Sequence, residues 1–110
     1  MAKTKTTKRP DTSTAETLWE DLGFSPEDAA VLELKYKLLR EIMKEIDRRK
    51  LTPKQVARVL DVQQPLVSKL VNGKVSDISN DRLTKYLRRL DRKIEVTTKK
   101  APKLHGTQVA

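Results

Sequence analysis

The chain has 110 residues, 24 Lys plus Arg against 15 Asp plus Glu, a formal net charge of +9 and no cysteine. At roughly 100 to 200 residues per domain it holds one domain at most, and disulfides and thiolate metal sites are excluded. Only 4% of the residues are aromatic, so the core must come from Leu, Val, Ile and Ala, which suits helices packed on helices.

Residues 1–17, with six Thr, four basic residues and no large apolar side chain after Met1, read as a flexible basic tail. Trp19, Leu22 and Phe24 follow, either as a hydrophobic lid on the next helix or as anchors for a partner. Ser25-Pro26-Glu27-Asp28 combines an N-cap, a favoured first helical residue and two acids at the positive helix end, and predicts a long helix to Arg49 or Lys50. At 100° per residue, Val31, Leu32, Leu34, Tyr36, Leu38, Leu39, Ile42, Met43 and Ile46 cover an arc of roughly 200°, about twice the usual stripe. Part of that arc is available to a second chain.

Thr52, with Pro53 at the first helical position, predicts a short helix to about Leu60. A third helix runs from Gln64 or Pro65 to Asn72, where Asn72-Gly73 stops it. Ser79 caps a fourth, from Asn80 to about Leu90, with Ile78 able to pack on Leu83 as a hydrophobic staple. Ile94-Glu95-Val96 alternates like a short strand. Residues 98–110 read as a second flexible basic tail containing His105, which has no neighbouring ligands; no metal or cofactor is expected.

The informative window is residues 51–74, LTPKQVARVLDVQQPLVSKLVNGK. Two helices of eight or nine residues separated by about three have the dimensions of a helix-turn-helix, whose second helix can enter the DNA major groove. Val56, Ala57, Leu60, Val62, Val67, Leu70 and Val71 form one inward set. Gln64, Pro65, Leu66, Ser68, Lys69 and Asn72 remain outward on the second helix. Gln can bond adenine, Lys can reach guanine, Ser suits either, and Leu can touch a thymine methyl, so Gln64, Pro65, Leu66, Ser68 and Lys69 are the candidate base readers. Thr52, Lys54, Arg58, Gln63, Asn72 and Lys74 flank them as candidate phosphate contacts. Between Lys50 and Lys93 stand 11 basic residues and 4 acids, whereas the Ser25–Arg49 helix has six of each. The positive charge therefore sits on the module that would face the polyanion. Neither a Gly-rich phosphate loop nor a catalytic triad or paired-carboxylate constellation is present, so no enzyme is expected.

The same window resembles the helix-turn-helix of the phage-repressor-like XRE regulators at Leu51, Thr52, Ala57, Leu60, Val62, Gln64, Val67, Ser68, Leu70, Asn72, Gly73 and Lys74. The upstream WEDLGFSPEDAAVLELKYKLLREI resembles the leader of the HigA-like antitoxins encoded beside RelE/HigB-type toxins. The resemblance covers about residues 18–97 and implies an all-α fold of five or so helices with a short C-terminal strand. It also implies a homodimer on double-stranded operator DNA and an antitoxin that represses its own operon and binds a RelE/HigB-type toxin. The alternative is a stand-alone XRE repressor. Trp19, Phe24, Leu32, Tyr36, Leu39, Met43, Ile94 and Val96 are the expected partner and dimer surface, with the strand favoured for the dimer. Three positions depart from the pattern. Asp61 replaces the turn Gly, an exchange that a left-handed Asp tolerates; Gln63 replaces a Ser or Thr cap, which points to Gln64 as the cap; and Pro53 replaces a Gln that contacts phosphate. No apolar stretch is long enough to span a bilayer or form a signal-peptide core, and the lack of cysteine suits a reducing compartment, so a cytoplasmic location without a membrane partner is expected.

Overall fold

Ser25 begins the longest helix as its sequence predicts: its Oγ accepts the Asp28 N–H at 3.1 Å, satisfying one of the free donors of the first turn. In the computed structural model, which describes residues 18–101, five helices follow one another: α1 (Leu18–Asp21), α2 (Pro26–Arg49), α3 (Pro53–Leu60), α4 (Gln64–Val71) and α5 (Asn80–Arg89). The expected tails at 1–17 and 102–110, His105 included, lie outside the described residues. Residues 98–101 carry no helix or strand. Among the described residues the fold is all-α, and no helix is long and apolar enough to cross a membrane.

Two units divide the chain, 1–32 with 95–110 and Glu33–Ile94. In the first, the Trp19 and Phe24 rings meet edge to face with centroids 6.0 Å apart. Of the residues expected as a lid, Leu22 and Phe24 stay exposed and Trp19 is half-buried, so the segment covers its apolar side chains only in part. Ile94-Glu95-Val96 forms no strand, because three residues gain no ladder hydrogen bonds without a paired neighbour.

The second unit carries the core. Leu38, Leu39, Ile42 and Ile46 of α2 pack with Val56 and Leu60 of α3, Val67 and Leu70 of α4, Val75 and Ile78 of the connector, and Leu83, Tyr86, Leu87 and Leu90 at α5. The wide apolar arc of α2 is thus split. Leu39, expected at a partner surface, is buried, and Tyr36 and Met43 pack partly against the same cluster, while Val31 and Leu34 are half exposed. Ile78 and Leu83, the expected staple pair, are both buried in this cluster.

Four helix ends close alike. The N–H groups of Leu51, Val62, Lys74 and Arg92 each bond the carbonyl five residues back, at 3.1, 3.0, 2.9 and 2.9 Å. Each closure needs a left-handed residue just before it, and Lys50, Asp61, Gly73 and Asp91 supply φ of 54°, 58°, 71° and 62°. Only one of the four is glycine.

Among the described residues two charged side chains are buried. The Lys35 ammonium of α2 donates to the Val75 and Ser76 carbonyls at 3.1 and 3.2 Å, satisfying connector groups outside any helix. Glu45 accepts from Arg48 at 2.8 Å and Arg49 at 3.2 Å, with Arg92 at 3.8 Å, while Arg49 also donates to the Leu90 carbonyl. The Arg48 hydrogen bond is the main influence holding Glu45 below the ordinary carboxylate value of 4.5, against the opposing effect of burial. A carboxylate lowered in the folded state contributes stability above its unfolded value that is lost as pH falls through the folded one. Thermal melting should therefore drop more steeply from about pH 5 to pH 3 in the wild type than in Glu45→Gln. Parallel profiles would remove Glu45 from the acid response.

Candidate nucleic-acid interface

The site is built by how α3 and α4 begin and end. Thr52 and Gln55 form a reciprocal capping box, Gln55 N–H to Thr52 Oγ1 at 3.2 Å and Thr52 N–H to Gln55 Oε1 at 2.8 Å. The Thr52 hydroxyl keeps its own proton for an external acceptor. Asp61 then turns the chain in the left-handed region, with ψ 52°, as the sequence comparison expects of an aspartate in the glycine position. Gln63 (φ −79°, ψ 153°) is the N-cap of α4, not Gln64, and its side chain makes no capping bond. The β-region conformation imposed on a residue before proline falls on Gln64 in principle, but Pro65 is tolerated inside the first turn, where no helical N–H partner is lost.

Val67 and Leu70 turn α4 inward, each about 1 to 2% exposed. Gln64, Pro65, Ser68, Lys69 and Asn72 share the opposite, exposed side, an arc of roughly 140° at 100° per residue. Two assignments shift. Leu66 packs partly against the core, and Val71, expected inward, is 45% exposed beside Gln64. At roughly 100° per residue Leu66 and Val71 stand about 70° to either side of the direction midway between Val67 and Leu70; the core reaches the Leu66 side and leaves the Val71 side open.

The polar groups on this face are not equally available. Asn72 Nδ2 donates to the Ser68 carbonyl at 2.9 Å, so its donor serves its own helix end. The Lys69 ammonium donates to Asp77 Oδ2 at 3.0 Å, and that hydrogen bond is the main cause of the lowered Asp77 carboxylate. Gln63, Gln64, Lys54, Arg58 and Lys74 are exposed around them. The sequence pattern missed Asp77, because its link to Lys69 spans eight residues with no helical repeat between them. Arg82 at the start of α5 was likewise not singled out; it donates to the Tyr86 hydroxyl at 2.9 Å with its guanidinium 5.9 Å from the ring centre. Of the expected partner residues, Trp19 and Leu32 are half-buried and Phe24, Ile94 and Val96 exposed. Among the described residues, no three His, Asp or Glu side chains gather to hold a metal ion.

Two eight-residue helices joined by a short turn and packed on each other, the second with a polar outer face, define a helix-turn-helix module, and α3 and α4 meet that definition. The chain belongs to the helix-turn-helix domain family, which matches residues 18–99. It is also similar to a solved XRE-family transcriptional regulator at 34% identity, with 69% of this chain and 85% of that one covered and a TM-score of 0.62. No curated protein matches the chain.

Proposed function

We propose that the chain is a sequence-specific DNA-binding regulator of the XRE type that binds operator DNA as a homodimer. The observation that carries this is the α4 face, where Gln64, Ser68 and Lys69 project from a helix held by α3 and flanked by Lys54, Arg58 and Lys74. Amide, hydroxyl and ammonium groups in that order suit base edges, and the flanking cations suit phosphates. One eight-residue helix reads only a few base pairs, so two copies are needed, on half-sites about 34 Å apart. Ile94 and Val96, both exposed, are the proposed dimer surface.

The finer role proposed is that of an antitoxin to a RelE/HigB-type toxin. It is supported by the resemblance of the leader and by the exposed Leu18, Leu22 and Phe24 of the first unit. Selection from a random duplex library should return a palindrome, bound with a preference that survives rising salt. Binding that is equal on all sequences and lost with salt would overturn the regulator reading. Copurification with the product of the adjacent gene tests the antitoxin role; its failure leaves a stand-alone repressor.

A further inference from the structure

We propose that Asp77 is a specificity-determining residue, which holds the Lys69 ammonium so that it reads a base edge instead of seeking phosphates. This rests on the reading that α4 enters the major groove. Both side chains are about half exposed, and exposed ion pairs contribute little to folding, so stability does not account for an acid here. Asp77 is also the one acid between Asp61 and Asp81. Beside a phosphate backbone such a charge weakens binding to every sequence alike, which makes its placement on Lys69 informative.

The support behind Asp77 is firm. Lys35, 8% exposed, bonds the carbonyls of Val75 and Ser76 immediately before it, and Val75 and Ile78 on either side are buried. The carboxylate is therefore carried by a connector fixed to both α2 and the core. A free lysine spreads over many rotamers and acts as a point charge. Held by one carboxylate oxygen, the ammonium retains two N–H donors, which match the O6 and N7 acceptors of guanine. The second carboxylate oxygen can accept from a cytosine amine nearby, so the pair suits a G·C-containing step.

The proposal sets two effects against each other. Asp77→Asn removes a repulsion and frees Lys69 for phosphates, so affinity for random duplex should rise several-fold and the salt slope steepen by about one. Discrimination at the base pair facing Lys69 should meanwhile fall about tenfold, as one well-placed base contact is worth at least that. Binding of the full chain to a selected operator, to its single-base variants and to random duplex reads both. A structural role alone would weaken all three together and lower the melting temperature. Unchanged discrimination in Asp77→Asn overturns the proposal, as does parallel weakening. Lys69→Ala separates it from the reading beneath: equal loss on operator and random DNA shows that Lys69 does not read bases at all.

Discussion

Leu70→Ala should lower folding stability by about 3 kcal/mol, measured by chemical denaturation, and weaken operator binding with it. Leu70 is 1% exposed on the inner side of α4 and belongs to a cluster drawn from all four helices of the larger unit. A truncation there removes the buried methyls and leaves a cavity that helices tied by short connectors cannot close. For a small domain held by about 5 to 15 kcal/mol, this is a large fraction. Val71→Ala is the control one residue away. Its side chain is 45% exposed, so the loss should stay within about 0.5 kcal/mol, as surface substitutions do. Equal losses at the two positions would restore the inward set that hydrophobic spacing alone assigns to Val71.

That pair shows where the sequence was legible. Apolar spacing, with Ser25, Thr52, Gly73 and Ser79 as boundary signals, locates α2 to α5 within a residue or two, because caps and turns act through neighbouring backbone groups. Asp61 belongs with them, since its tolerance of the left-handed region is a property of the residue itself. What escaped depends on distant groups. Lys35 looks like a surface lysine until the Val75 and Ser76 carbonyls, 40 and 41 residues on, come beneath it. Glu45 looks like an ordinary helix-surface partner of Arg48 and Arg49, and only the return of the chain at Leu90 and Arg92 encloses it. Lys50 and Asp91 take left-handed conformations because the helix-closing bonds of Leu51 and Arg92 require them, not because lysine and aspartate signal it equally. The strand at Ile94 failed for a related reason: alternation describes one strand, while a strand exists only in a pair.

At the reading face the legible part was residue type, and the hidden part was which groups are already engaged. The Gln64 side-chain amide makes no hydrogen bond within the protein, whereas the Lys69 ammonium is held by Asp77 and the Asn72 amide by the Ser68 carbonyl. Gln64 stands in the first turn of α4, and in the proposed docking the positive end of the helix dipole would face the DNA backbone while the side-chain amide extends into the groove. An amide donating and accepting at once matches adenine N7 and N6. Gln64→Ala should therefore cost roughly 1 to 3 kcal/mol on the selected operator and little on random duplex, read by fluorescence anisotropy at fixed salt. Alanine is the better helix former, so lost folding cannot account for the result. The variant should also lose its preference at one base pair alone, while the preferences at other positions persist, because separated contacts add nearly independently. A uniform loss on every duplex would place Gln64 among the phosphate contacts and leave Ser68 and the Lys69–Asp77 pair as the groups that read sequence.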